Sequence, residues 1–88
     1  MDIVWTASAL ADVQRIRSYI SDFRPRAAED MGVRLIEAGN DLALFPHRGR
    51  LVSQNLRELT LVYPYIIRYS VVANQVFILR VRHGKQQS

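Results

Sequence analysis

The sequence predicts an α+β fold: an N-terminal strand, then an α-helical hairpin packed on an antiparallel β-sheet with three C-terminal strands. Two periodicities support this fold class. In the first half of the chain apolar residues recur every three or four positions, which is typical of amphipathic helices. After Pro46 they alternate every second position, which is typical of strands. At 88 residues, the chain is expected to form a single domain over residues 1–88.

The N-terminal half predicts one strand and two helices. Ile3-Val4-Trp5 is a β-prone run, and Thr6 or Ser8 can cap a helix over about residues 8–22. The apolar stripe of this helix is predicted to be Leu10, Val13, Ile16, Ile20 and Phe23. Pro25 favours a restart, because proline fits a first helical turn. The second helix should end at Phe45-Pro46 and bury Ala28, Met31, Leu35, Ala38 and Leu42.

The C-terminal half predicts a turn and three strands. Residues 47–50 form the turn, and the strands cover residues 56–62, 65–72 and 76–83. Pro64 separates the first two strands, because proline lacks the N–H that a central strand donates. The last two strands are rich in β-branched and aromatic residues and should form a hairpin.

The register of this hairpin decides which face is buried. A two-residue turn at Ala73-Asn74 would pair Arg68 with Leu79 and place arginine on both faces. A three-residue loop, with Asn74 or Gln75 near the left-handed region, instead pairs Arg68 with Arg80. We prefer the loop because it separates the faces. The core face is then Tyr65, Ile67, Tyr69, Val71, Phe77, Leu79 and Val81, and the other face is Ile66, Arg68, Ser70, Arg80 and Arg82.

Charge is distributed unevenly along the chain. Residues 1–41 hold seven acids and five arginines, whereas residues 42–88 hold one acid, Glu58, and seven bases. This asymmetry predicts an electropositive surface whose partner is an anion, either nucleic acid or an acidic protein segment. An arginine-rich genome would produce the same bias without a specific partner. The residues expected to bind the partner are Arg50, Arg57, Tyr63, Arg68, Arg80, Arg82 and Lys85.

The chain has no cysteine, no signal-peptide pattern and no apolar run long enough to span a membrane. We therefore expect a soluble, cytoplasmic protein that uses neither disulfides nor thiolate metal sites. The spacing of its two histidines, His47 and His83, does not fit metal ligation. No cofactor, metal or small-molecule substrate is expected.

Few residues could carry out catalysis. Cleavage of RNA by its 2′-hydroxyl needs a base, an acid and cations, and the residues available for these roles are Glu58, Arg68, Arg80 and His83. The preferred register turns His83 away from the arginines, and Glu58 also fits a cross-strand ion pair. The hypothesis without catalysis is therefore favoured.

Four blocks of residues resemble the ParE/RelE superfamily of toxins from type II toxin-antitoxin systems. The blocks are Phe45-Pro46-His47-Arg48-Gly49-Arg50, Leu56-Arg57-Glu58-Leu59, Tyr63-Pro64-Tyr65-Ile66-Ile67-Arg68-Tyr69 and Val76-Phe77-Ile78-Leu79-Arg80-Val81-Arg82-His83-Gly84. The resemblance implies two helices packed on an antiparallel sheet. It also implies a cognate antitoxin with a flexible, acidic segment that wraps the toxin, which agrees with the basic surface.

The resemblance leaves the cellular target open. RelE-like members cut mRNA on the ribosome with clustered cations and a C-terminal tyrosine or histidine, whereas ParE-like members inhibit DNA gyrase. Arg57, Arg68 and Arg82 lie where RelE-like enzymes place cations, but no tyrosine follows Arg82 and the lysine cluster is absent. The ending, from Arg82 to Gln86, resembles ParE. Gyrase inhibition is therefore the favoured hypothesis; mRNA cleavage and a non-toxic antitoxin-binding module are the alternatives.

Overall fold

The computed structural model describes residues 1–86. The elements are β1 (Asp2–Trp5), α1 (Ala7–Ser21), α2 (Pro25–Asn40), β2 (Arg50–Ser53), β3 (Leu56–Leu59), β4 (Tyr65–Val72) and β5 (Gln75–His83), with short 3-10 turns at Asp41–Ala43 and Gly84–Gln86. In this described part of the chain, no helix has the length and apolarity that crossing a membrane requires.

The predicted fold class is confirmed, because the two helices pack on a sheet with strand order β1-β5-β4-β3-β2. The sheet is mixed rather than purely antiparallel. Strands β2 to β5 form an antiparallel meander, and β1 lies parallel to β5 along the edge that β4 leaves open. The short strand β2 follows the predicted turn and was not predicted. Strand β3 ends at Leu59 instead of residue 62, because the chain turns at Val62, whose carbonyl accepts the Tyr65 N–H.

Helix α1 begins where β1 ends, at Thr6. The Thr6 hydroxyl accepts the N–H of Ala9 at 3.1 Å and donates to the carbonyl of Ile78 at 2.8 Å, so the cap also fixes α1 to β5. The predicted stripe is wrong at its two ends: Leu10 is 48% exposed and Phe23 is 72% exposed.

The sheet-facing side of α1 includes a charged residue that the apolar pattern did not reveal. Ala9 and Asp12 are both buried beside Val13, and Ile16 packs against the core. The small side chain of Ala9 leaves room for close packing, and Asp12 forms bonds with β5. The buried side of α1 is therefore rotated relative to the predicted stripe, and Leu10 is turned toward solvent.

The predicted stripe of α2 is confirmed. Ala28, Leu35, Ala38 and Leu42 are buried, and Met31 packs against them. The α-helix ends at Asn40, earlier than predicted, and Leu42 belongs to the 3-10 turn that follows.

The β4–β5 hairpin combines parts of both predicted registers. Arg68 pairs with Arg80 as the preferred register predicts, but Tyr69 pairs with Ile78 instead of Leu79. The loop has two residues, Ala73 and Asn74, and a bulge at Leu79 then restores the pairing of the arginines. The predicted three-residue loop is therefore wrong.

The bulge also changes which residues of β5 are buried. Val76 and Ile78 are fully buried, whereas Phe77 and Leu79, which were predicted for the core face, are only partly buried. The rest of the predicted core face is largely correct: Tyr65, Ile67, Tyr69 and Val81 are buried, and Val71 packs against them. A bulge moves an extra residue out of the alternation, so a pattern with a strict period of two misplaces the residues on one side of it.

The hairpin loop contains a strained residue, because Ala73 has a φ of 55°. A residue with a Cβ pays about 1 kcal/mol in this left-handed region, whereas glycine does not. Ala73→Gly is therefore expected to raise the free energy of unfolding by roughly 0.5–1 kcal/mol, measured by urea denaturation. Asn74→Gly is the matched control, since its φ is not positive. Equal effects of the two substitutions would contradict the assignment of strain to Ala73.

Candidate partner-binding surfaces

Five charged side chains form a row across the sheet, which we call the charged row. Arg50 on β2 pairs with Glu58 on β3, Glu58 with Arg68 on β4, and Arg68 with Arg80 on β5. Asp12 of α1 extends the row beyond β5 through its ion pair with Arg80. The row therefore joins every strand from β2 to β5 and connects them to a helix.

Glu58 is the carboxylate at the centre of the sheet, and it is only 4% exposed. Its Oε1 accepts from Arg50 at 3.3 Å and its Oε2 accepts from Arg68 at 2.9 Å. A buried carboxylate keeps its charge at low cost only when cations and hydrogen bonds compensate for lost water. Arg50 and Arg68 provide that compensation, so Glu58 is an ion-pair partner, as the simpler interpretation of the sequence had it.

Asp12 plays the same part at the other end of the row. Its two oxygens accept from Nε and Nη2 of Arg80 at 2.8 and 3.1 Å, and Oδ2 also accepts the N–H of Val81 at 2.8 Å. Arg15, one helical turn later, forms a second ion pair with it. Strand β1 pairs with β5 only as far as Ile78, so Asp12 satisfies an edge N–H of β5 that β1 does not reach.

The pKa of Asp12 results from opposing effects. Burial alone would raise it. The hydrogen bonds from Arg80 and Val81 and the positive charges of Arg80 and Arg15 outweigh burial and hold the pKa below its ordinary value. The same contacts raise the pKa of Arg80. The pair is therefore ionised at neutral pH.

A groove of about 860 Å³ lies between α1 and the C-terminal half of β5. We call it the α1–β5 groove. Arg15 and Arg82 are its exposed cations, and Tyr19, which is 67% exposed, forms part of its wall. Tyr65 and His83 are also in the wall, where their rings meet edge to face with centroids 5.6 Å apart. The groove combines exposed positive charge with aromatic surface, a composition typical of binding sites.

The predicted nuclease residues are only partly brought together. Glu58, Arg68 and Arg80 are neighbours in the charged row, whereas His83 packs against Tyr65 on the buried side of β4. Tyr65 and Arg68 are three residues apart on one strand, about 10 Å. His83 therefore lies far from the row and on its opposite face, as the preferred register predicts. Its Nδ1 accepts the N–H of Lys85 at 3.1 Å.

The predicted partner-binding residues divide into two groups. Four of them have intramolecular partners: Arg50, Arg57, Arg68 and Arg80. The other three are exposed, as is Arg50 at 72% despite its ion pair: Tyr63 at the cis Tyr63-Pro64 peptide, Arg82 and Lys85. Arg57, Arg68 and Arg80 are thus held within the fold, whereas Arg50 exposes its charge on β2 and Arg82 and Lys85 expose theirs toward the C-terminal end.

The loop before β2 is fixed by two side chains from the sheet. The Tyr69 hydroxyl accepts the N–H of Gly49 and donates to the carbonyl of Pro46, both at 2.8 Å. Arg57 donates to the carbonyl of Gly49 at 2.8 Å. A Cβ on residue 49 would lie 2.7 Å from the Tyr69 ring, so only glycine fits there. Burial raises the pKa of Tyr69 despite the opposing effects of Gly49, Arg57 and Arg48, so its hydroxyl stays protonated.

Sequence reasoning missed Asp12 and Tyr19. An acid among the small residues of α1 looked like part of the solvated face, and Tyr19 lay off the apolar stripe. In residues 1–86 no group of three or more histidines, acids or cysteines is arranged to hold a metal ion.

Comparison with known proteins identifies the family. A family model described as the ParE toxin of the type II toxin-antitoxin system parDE matches residues 3–88. The chain belongs to the ParE/RelE toxin superfamily. Toxin RelE2 of Caulobacter vibrioides is 52% identical over 82 residues, which are 93% of this chain and 93% of the relative. Toxin RelE1 of the same organism is 31% identical, with 97% of this chain and 95% of the relative covered.

The solved structures agree. A chain from the structure titled "Chromosomal ParDE TA system from P. aeruginosa" has a TM-score of 0.83 and 25% identity, covering 94% of this toxin and 95% of that chain. The predicted family is therefore confirmed. Because this toxin is one half of a type II system, its partner is a cognate antitoxin.

The contacts of Asp12 predict a pH-dependent loss of stability in the toxin. The pKa of Asp12 is lower in the folded state than its unfolded value of about 3.9, so its contribution is present above that value and is lost as pH falls through the folded pKa. Asp12→Asn keeps an acceptor for Val81 but removes the charge. We expect it to lower the free energy of unfolding by about 3 kcal/mol at pH 7 and by less at pH 3, where the unfolded carboxylate is largely protonated.

Urea denaturation at both pH values checks this prediction. Asp30→Asn, at an exposed position on α2, is the control and should change stability little at either pH. A deficit of Asp12→Asn that is equal at pH 7 and pH 3 would mean that the charge of Asp12 does not stabilise the fold.

Proposed function

We propose that this toxin arrests growth in the cytoplasm by inhibiting DNA gyrase, and that an acidic segment of its antitoxin neutralises it by binding in the α1–β5 groove. The main support is the state of the residues that a nuclease would need. Glu58 is buried and accepts from two arginines, and His83 lies on the opposite face. A general base must reach the proton that it removes, and a general acid must stand on the other side of the same phosphate. The positions of Glu58 and His83 therefore support a toxin that does not cut RNA.

The groove supports the antitoxin part of the proposal. Its exposed cations, Arg15 and Arg82, attract carboxylates, and its wall contains the rings of Tyr19, Tyr65 and His83. A segment that alternates acidic and apolar side chains would match both features. Lys85 is exposed just beyond β5, and its backbone N–H donates to His83 of the groove wall, so its positive charge lies near the groove.

A second candidate is cleavage of mRNA on the ribosome. It is favoured by the names of the relatives, RelE2 and RelE1, and by the arginines of the charged row. Arg68 bonds to Glu58 through Nε only, so its other N–H groups could contact a phosphate. Under this hypothesis Glu58, Arg68, Arg80 and His83 would all be required for growth arrest.

The two candidates make opposite predictions for His83→Ala and Glu58→Gln. If the target is gyrase, the purified toxin inhibits supercoiling, and each variant retains inhibition within about threefold, because neither side chain takes part in chemistry. A supercoiling assay measures this directly, and thermal unfolding identifies any loss due to misfolding. Arg34→Ala, exposed on α2, is the control.

The same variants test the alternatives. Codon-dependent mRNA cleavage on translating ribosomes, abolished by both substitutions, together with undisturbed supercoiling, would replace the gyrase proposal with the nuclease. Normal growth on expression of the folded wild-type chain alone would favour the non-toxic module instead.

Charge reversal tests the antitoxin surface. Arg15→Glu with Arg82→Glu is expected to weaken binding of the cognate antitoxin at least tenfold at low salt, with a smaller effect at high salt, because like charges then meet in the groove. Arg26→Glu with Arg34→Glu, an equal charge change on α2, is the control. Titration calorimetry measures both, and equal losses would contradict a specific role for the groove.

A further inference from the structure

We propose that an apolar side chain of the antitoxin segment binds two exposed aromatic rings, Tyr19 and Phe23, where the α1–β5 groove continues past the end of α1. We call these two residues the aromatic pair. The inference rests on the proposed function, because the pair extends the groove in which that function places the antitoxin. It adds the position and the chemistry of a second contact.

The aromatic pair is exposed to a degree that is unusual for side chains of its size. Tyr19 is 67% exposed and Phe23 is 72% exposed. Their rings meet edge to face, with centroids 5.6 Å apart. The hydrophobic core of the described chain forms without either ring. Adjoining exposed apolar surface often marks an interaction site in a soluble protein, so the pair is a candidate contact for a partner.

Tyr19 connects the aromatic pair to the groove. It forms part of the groove wall together with Arg15, and its ring contacts that of Phe23. Burial raises the pKa of Tyr65, which also lines the groove, and the proximity of Tyr19 raises it further. A segment that lies in the groove can therefore reach the pair without leaving the surface.

The backbone that carries the pair is ordered. The carbonyl of Ile20 accepts the N–H of Phe23 at 3.0 Å and that of Arg24 at 2.8 Å, and α2 begins at the next residue, Pro25. Tyrosine and phenylalanine side chains have few rotatable bonds, so fixing them in a complex costs little entropy. Both properties suit the pair to act as an anchor for a partner.

Positive charge and aromatic surface follow each other along α1. Arg15, Tyr19 and Phe23 are spaced four residues apart, so they lie on one side of the helix and of the turn that follows it. Arg15 is 66% exposed despite its ion pair with Asp12. Four helical residues span about 6 Å, which places Tyr19 one turn beyond this charge.

This spacing indicates the chemistry of the matching segment. In an extended chain, side chains two residues apart point the same way and are about 6.6 Å apart. An acidic side chain that meets Arg15 therefore brings the side chain two residues away to Tyr19 and Phe23. The segment that fits carries a carboxylate and, two residues from it, an apolar side chain.

The aromatic pair fits a protein side chain better than a nucleic-acid base. Single-stranded nucleic acid stacks its bases on open ring faces. The planes of Tyr19 and Phe23 are inclined by 67°, so they do not form a continuous platform for stacking. Asp22, which is exposed and adjacent to Phe23 in the chain, would also repel a phosphate backbone. An apolar side chain can pack in the angle between the two rings.

Affinity for the purified cognate antitoxin, measured by titration calorimetry at low and high salt, tests the inference. Tyr19→Ala with Phe23→Ala removes both rings. We expect the affinity to fall roughly tenfold or more, because a few aromatic residues dominate many interfaces. The loss should be equal at both salt concentrations, since salt screens charges and not apolar contacts. Tyr19→Phe keeps the ring and should bind within about threefold of wild type.

Leu44→Ala with Val72→Ala is the matched control. It removes exposed apolar surface from the loop before β2 and from the end of β4 that is distant from Tyr65. This variant should bind the antitoxin within about threefold of wild type, because its side chains lie outside the contact. Thermal unfolding distinguishes lost binding from misfolding, and Phe23→Ala alone repeats the test with a smaller change to the helix.

Three results would overturn the inference. If Arg15→Glu with Arg82→Glu weakens binding and the folded aromatic variant does not, the antitoxin lies in the groove but not on the pair. If both variants bind as wild type does, the groove is not the antitoxin site, and this part of the proposed function fails as well. Loss of gyrase inhibition with unchanged antitoxin affinity would assign the aromatic pair to the target instead.

Discussion

The arrangement of this toxin depends on one carboxylate, Asp12. Pairing between β1 and β5 ends at Ile78. Further along the same edge of β5, the N–H of Val81 would be unpaired if Asp12 did not accept it. The same carboxylate forms ion pairs with Arg80 and Arg15. Satisfying three donors at once fixes the rotation of α1, because only the face that carries Ala9 and Asp12 can then lie against the sheet. Leu10 is exposed as a result, and the space beyond Asp12 becomes the α1–β5 groove.

Asp12 and Glu58 together explain how two arginines can face each other across β4 and β5. Arg68 and Arg80 are directly opposite, which would be destabilising if both were free. Glu58 draws the Arg68 guanidinium toward β3, while Asp12 draws that of Arg80 toward α1. Arg68 and Arg80 therefore form ion pairs within the fold. More exposed positive charge lies at other residues, such as Arg15, Arg48 and Arg82.

The sequence was sufficient for the fold because helical and strand periodicities survive wherever one face is apolar, as in α2 and β4. It was insufficient where a single contact replaces periodicity. Asp12 is buried because it bonds to β5, and no local pattern encodes that contact. The bulge at Leu79 lies in a strand that pairs with β4 on one side and β1 on the other, so its position depends on both pairings. For the candidate site too, features that follow from strand alternation were predictable and features that depend on a single tertiary contact were not. The cross-strand ion pair of Glu58 could be inferred from the strand pattern, whereas the groove depends on how α1 is rotated.

The position of the groove constrains how an antitoxin could neutralise the toxin. The groove lies beside β5, and the edge of the sheet at β2 is three strand spacings away, or about 14 Å. An extended segment needs roughly four or five residues to cover that distance. A segment that ends in the groove would leave the β2 side of the sheet open, so a target that docks there could bind together with the antitoxin. A segment that continues across the sheet would cover that side directly. The length of the antitoxin beyond the groove therefore determines whether neutralisation is competitive for a target bound on that side.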